Sequence, residues 1–135
     1  QRASGSGQAS HFQRGSIFWT AATGAHEVKG SIRDAWARVG WDRGPLGFPT
    51  TGEMSTVKAG GRVNHFQGGS VFSTATTGAH PVAGAIRDRW AATGWERGSL
   101  GFPISDKYDV PEGRRNDFQR GSIVWDARTG ATRIV

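Results

Sequence analysis

Four histidines (His11, His26, His65 and His80), eleven carboxylates and six tryptophans are the side chains here with the means to do chemistry or to grip a ligand. Acid–base catalysis needs two unlike groups held together, one pKa pushed up and its neighbour held down. The carboxylates instead recur as like pairs, Asp34 with Asp88 and Asp42 with Glu96, each 54 residues apart. A repeated chain makes the same group twice, so no local acid–base pair stands out. No Gly-x-Ser-x-Gly elbow offers a nucleophile. The histidines stand singly, outside the close spacing of a metal motif. The expectation is a non-enzyme with no catalytic residue, no metal and no cofactor. His26 and His80 are read as helix-opening side chains bonded to nearby backbone, with ligand contact as the alternative.

The tryptophans divide by position. Trp36 and Trp90 share a helical stripe with valine and isoleucine and are assigned to the core. Trp41 and Trp95 follow a helix end and are either core lids or binding surface. Trp19, Ser73 and Trp125 occupy one repeat position, and a position that accepts serine is a poor place for deep burial. Trp19 and Trp125 are thus candidate platforms, with hairpin packing as the alternative, and Tyr108 in the second connector is an aromatic that the repeats do not require. An indole or phenol face suits the C–H face of a sugar, while amides, ions and imidazoles suit its hydroxyls. The candidate glycan-binding set is therefore Trp19, Trp41, Trp95, Trp125 and Tyr108, with Gln13, Gln67, Gln119, His26, His80, Asp42, Glu96, Arg43 and Arg97 around them. Single sites of this kind are weak, and repetition raises retention through effective concentration.

The elements that must position these residues repeat as well. Gly40-Trp41-Asp42-Arg43-Gly44-Pro45-Leu46-Gly47-Phe48-Pro49 returns 54 residues later as Gly94 to Pro103, identical at eight of ten positions. Leu-Gly-Phe-Pro is a rigid corner: two apolar side chains around a residue free to take positive φ, then a ring that fixes φ. Residues 11–49 and 65–103 align without a gap at 27 of 39 positions, and residues 118–131 begin a third copy. Each unit opens with a hairpin signal, with Arg14-Gly15, Gly68-Gly69 or Arg120-Gly121 as a two-residue turn. That register sets Gln13 opposite Ser16, Phe12 opposite Ile17 and His11 opposite Phe18, with Phe12, Ile17 and Trp19 on one face. A Thr-Gly-Ala turn then leads into a helix whose stripe is Val28, Ile32 and Trp36, or Val82, Ile86 and Trp90. Glu27 and Pro81 open these helices and Gly40 and Gly94 cap them. The expected core is Phe12, Ile17, Val28, Ile32, Trp36, Leu46 and Phe48, with the second-copy equivalents in another cluster.

The expected fold class is α+β: tandem ββα repeats, two full units and a terminal hairpin, arranged around a pseudo-rotational or repeat axis. Residues 1–10 are expected to be a flexible linker. Residues 11–131 form a single domain, with repeat 1 at 11–63, repeat 2 at 64–115 and partial repeat 3 at 116–135. The start at Gln1 is read as that of a processed or excised fragment. No run of about 18 apolar residues is present, and the absence of cysteine excludes disulfides. The net charge of +6 suits acidic partners, yet fourteen of seventeen basic residues are arginines scattered beside carboxylates. Neither nucleic acid nor membrane insertion is expected.

Two Leu-Gly-Phe-Pro corners, together with Asn64 to Ser70, Thr77 to His80 and Ile86 to Trp90, make the chain resemble the tandem LGFP repeats over almost all of residues 11–131. The resemblance implies a secreted, cell-wall-associated actinobacterial module, attached to mycoloyltransferases, esterases or wall hydrolases, that holds them on wall polysaccharide of the arabinogalactan or arabinan type. The alternative is a structural repeat that mediates oligomerisation or docks to a fused or partner wall hydrolase or acyltransferase. Family members commonly carry four or five units, whereas this chain has two and a half. Because the third unit stops short, self-association through it is expected, with ring closure onto the first unit as the alternative.

Overall fold

The computed structural model describes residues 8–12 and 15–135. Three antiparallel meanders follow one another along the chain, and the first two each feed a short helix. The first sheet holds β1 (Gln8–His11), β2 (Gly15–Thr20) and β3 (Gly24–Lys29), and leads into α1 (Gly30–Arg38). The second holds β4 (Met54–Ser55), β5 (Gly61–His65), β6 (Gly69–Thr74) and β7 (Gly78–Ala83), and leads into α2 (Gly84–Ala92). The third holds β8 (Tyr108–Val110), β9 (Gly113–Phe118), β10 (Gly121–Asp126) and β11 (Thr132–Ile134). Within each sheet the strands pair in chain order. The α+β class and the tandem repetition are as expected, but the sheets ahead of the two helices have three and four strands rather than the two of a hairpin.

Four sequence readings need correction. The Thr-Gly-Ala turns join the second strand to the third, so Glu27 and Pro81 lie in β3 and β7 and the helices begin only at Gly30 and Gly84. These glycines, at φ of 59° and 64°, turn the extended strand directly into a helix. Val28 is buried at the strand's end, so a strand residue and a helix residue four positions later share one core and imitate a longer helical stripe. The described hairpin turns are Gln67-Gly68 and Gln119-Arg120, one residue earlier than expected, and in the first sheet His11 faces Ser16, Ser10 faces Ile17 and Ala9 faces Phe18. The partners shift by two, so the faces are kept and Phe12, Ile17 and Trp19 still lie together. The equivalent face of the later hairpins packs on the preceding unit rather than on its own helix. Phe18 enters the core, while Phe12 and Ile17 are exposed. The third correction is that β1 begins inside the stretch read as linker. Lastly, Thr132–Ile134, beyond the hairpin that was expected to end the third unit, is the fourth strand of the third sheet.

The cores are shared between units. The first contains Phe18, Val28, Ile32, Trp36, Leu46 and Phe48 from unit one, but also Phe66, Val71 and Ala79 from unit two. The second repeats this with Phe72, Val82, Ile86, Trp90, Leu100 and Phe102, closed by Phe118 and Ile123 of unit three. The second hairpin thus sends alternate residues to two cores, Phe66 and Val71 to the first and Phe72 to the second, which is why β6 is buried on both faces whereas β2 alternates buried and exposed. Full burial of a phenylalanine and a valine or isoleucine at each junction contributes about 3–6 kcal/mol as an upper estimate. A surface ion pair adds at most about 1 kcal/mol, so the apolar plug governs how units join.

Candidate functional site

The Leu-Gly-Phe-Pro corner is pinned from two sides. From its own unit, the buried Trp36 indole N–H donates to Gly47 O at 3.1 Å, and Trp90 does the same to Gly101 O at 3.1 Å. From the next unit, the Phe48 N–H donates to Gln67 Oε1 at 3.0 Å while the Gln67 N–H donates to Phe48 O at 3.0 Å. Gln119 holds Phe102 in the same two-point grip. The amide side chains of Gln67 and Gln119, expected among the glycan contacts, are therefore clamps between units. Gln13 lies outside the described residues.

Trp41 and Trp95 sit in 3-10 turns immediately after the capping glycines Gly40 and Gly94 and have positive φ, 57° and 59°. A bulky residue there is strained, and both repeats keep the strain. The conformation folds each indole back onto the core, with Trp41 edge-on to Trp36 at 5.2 Å and Trp95 edge-on to Trp90 at 5.5 Å. Arg33 and Arg87 lie over their outer faces at 5.8 and 5.0 Å, a cation–π arrangement. Both rings are half-buried lids. Around Trp95 the connector leaves a cavity of about 450 Å³ lined by Met54, Val57, His65, Phe72 and Glu96. Glu96 is buried and receives the Lys58 N–H at 3.4 Å. His65 is held below its usual pKa by burial and then by the neighbouring Arg87, against a smaller opposing pull from Glu96. Asp42 is half-buried, whereas Arg43 and Arg97 are exposed.

A second kind of cavity recurs at each junction, between the helix start of one unit and the sheet of the next. The first groove, about 580 Å³, is lined by Lys29, Ser31, Arg33, Glu53, Arg62 and Ser73. The other, about 300 Å³, is lined by Ala83, Ala85, Lys107, Arg114 and Trp125. Position for position these match: Lys29 with Ala83, Ser31 with Ala85, Glu53 with Lys107, Arg62 with Arg114 and Ser73 with Trp125. In each groove the arginine stands across the strand pair from the Ser/Trp position. Arg62 is fixed by Glu53 at 2.7 Å and Ser55 at 2.8 Å, and Arg114 by Asp109 at 3.0 Å. Where the first groove closes with a Ser31–Ser73 hydroxyl contact of 2.8 Å, the second carries a half-buried indole. Burial, then the positive charge of Arg114, hold Lys107 below the usual lysine range. A ring beside fixed cations and hydroxyls suits a polyhydroxylated ligand. Trp19 occupies the same position in the first sheet and is exposed.

The remaining candidates are engaged with the protein itself. His26 Nε2 lies 2.6 Å from Thr23 O, and His80 Nε2 lies 2.7 Å from Thr77 O, both on strands rather than at helix starts. His80 Nδ1 also contacts Asp106 at 2.7 Å, and Arg38 reaches the same carboxylate at 3.1 Å. Partial burial pushes the Asp106 carboxyl up, but the bonds and charges of Arg38 and His80 outweigh it and hold the group below the usual carboxylate range. The Tyr108 hydroxyl donates to Asp117 at 2.8 Å, a bond that raises its pKa. Arg115 and Ser122 share that carboxylate at 2.8 and 2.6 Å. No group of three or more His, Asp or Glu able to hold a metal occurs among the described residues. Sequence reasoning missed Arg62, Lys107, Arg114, Asp106 and Asp117; aligning the connectors with their two-residue length difference would have paired Arg62 with Arg114.

The family model for the LGFP repeat matches this chain three times, over residues 1–44, 46–98 and 100–135. No curated protein matches it.

Proposed function

This chain belongs to the LGFP repeat family, and on that footing we propose that it is a non-catalytic module that binds cell-wall glycan and anchors a secreted protein to the wall. The observation that carries the reading is the recurrence of one groove at both junctions, walled by a fixed arginine and, in the second, by the Trp125 ring. Two matching grooves on one chain are what a polymer ligand rewards, because a polymer held at one meets the other at raised effective concentration. The ligand class is a polysaccharide of the arabinogalactan or arabinan type. Trp125, Arg62 and Arg114 contact it directly, and the Trp95 cavity with His65 and Glu96 offers a further subsite. The location is extracellular and wall-associated.

Purified, delipidated actinobacterial walls should retain the protein in a pulldown, and removal of their arabinan should release it. Trp125→Ala should weaken retention several-fold without unfolding the chain, because the side chain is only half-buried. Equal retention before and after arabinan removal would rule the ligand out. Equal retention by wild type and Trp125→Ala would rule the groove out. A second reading, a module that docks other protein, is favoured by the exposed apolar face of the first hairpin.

A further inference from the structure

The first hairpin exposes residues that its two repeats bury. Phe12 is 59% exposed where its equivalents Phe66 and Phe118 are at 4% and 2%; Ile17 is 38% exposed where Val71 and Ile123 are at 0%. Trp19, beside them at 41%, stands where Ser73 is buried against α1 and Trp125 half-buried against α2. In both internal cases the covering surface is the same: the helix of the preceding unit with its Leu-Gly-Phe-Pro corner. The Phe plug enters beneath the core tryptophan, Trp36 to Phe66 at 5.1 Å and Trp90 to Phe118 at 5.2 Å. The corner proline then bridges to the plug, Pro49 with Phe66 and Pro103 with Phe118.

We propose that the Phe12–Ile17–Trp19 face is a docking surface for the helix-and-corner edge of one further LGFP unit, delivered through a connector as units one and two are delivered to the hairpins that follow them. The chain's own helices cannot fill it, because α1 is covered by β6 and β7 and α2 by β10 and β11. A second copy of the chain offers no vacant helix either. This also moves the expected site of association. The third hairpin, whose apolar residues prompted it, has Phe118 and Ile123 buried in the second core, and the unpartnered apolar set lies at the first hairpin.

The test supplies the missing edge. Residues 1–61 placed directly ahead of residue 8 reproduce the natural junction, because Gln8 pairs with Trp19 as Arg62 pairs with Ser73. Ile17→Asp should leave the unfolding midpoint of the chain itself nearly unchanged and should lower that of the fusion by more than about 5 °C. If Ile17→Asp prevents the fusion from folding, Phe12→Ala reads the same contrast more gently. An equal effect of either substitution in chain and fusion overturns the proposal. So does a concentration-dependent dimer of the chain alone that Ile17→Asp abolishes, since the face would then belong to a second copy.

Discussion

Gly47→Ala should cost far more than a methyl group on a half-buried corner normally would. Gly47 has a φ of 70°, and a Cβ built there would lie 2.7 Å from Gln67 Oε1 and 3.2 Å from Gln67 Cβ. The left-handed conformation alone costs a non-glycine residue about 1–2 kcal/mol. To relieve the contact the amide must swing away and give up the Phe48 N–H, a neutral bond worth about 1 kcal/mol. The sum is about 2–3 kcal/mol, read as a shift in urea midpoint at unchanged slope. In a Gln67→Ala background only the backbone cost remains, so the two substitutions should be coupled by about 1 kcal/mol. Gly101→Ala with Gln119→Ala is an internal replicate, with φ of 77° and a 2.6 Å approach to Gln119 Oε1. Strict additivity at both corners, or a loss below about 0.5 kcal/mol for Gly47→Ala, would refute the clamp.

Trp36→Ala should cost about 3–5 kcal/mol, whereas Trp19→Ala should stay within about 0.5 kcal/mol in urea unfolding, because only the first ring is fully buried. Asp106 has a folded pKa below its unfolded value of about 3.9. Its contribution is therefore complete above about pH 4 and lost as pH falls through the folded value. Asp106→Asn should flatten part of the acid limb of a stability–pH profile, and an unchanged limb would show that the Arg38–His80 cluster contributes nothing. Tyr108 is the single tyrosine, so ultraviolet difference titration reports it alone. Its ionisation should occur above the ordinary value near 10 and move back toward it in Asp117→Asn; no movement would mean that the hydroxyl bond to Asp117 is absent in solution.

The corners, capping glycines and core tryptophans were legible in the residues because each is decided locally. The repeat made them doubly visible, and Trp36, Trp90, Leu46 and Phe48 are all buried as expected. Register was not legible. Phe12 and Phe18 are equally apolar and lie on opposite faces, and which face meets the unit's own helix and which the preceding unit's is set by packing between units, as Phe66 and Phe72 in two different cores show. The β3–α1 join was missed because Val28 and Ile32 are four apart in a strand-to-helix corner, the same spacing as one helical turn. The grooves were beyond reach for another reason. Their walls come from residues far apart in the chain, such as Ser31 with Ser73, and only the shared cores bring these together. The bonds of Gln67 and Gln119 to the neighbouring corners were not legible either, because an amide in a turn looks the same in sequence whether it faces a sugar or another unit.

Interlocked cores also set the order in which the molecule can form as it leaves the ribosome. The first core is not closed until Ala79 is available, and the second not until Ile123, near the end of the chain. Unit one must wait with the Trp36 and Leu46 side chains uncovered while unit two is made. A polypeptide held long in that state is exposed to aggregation.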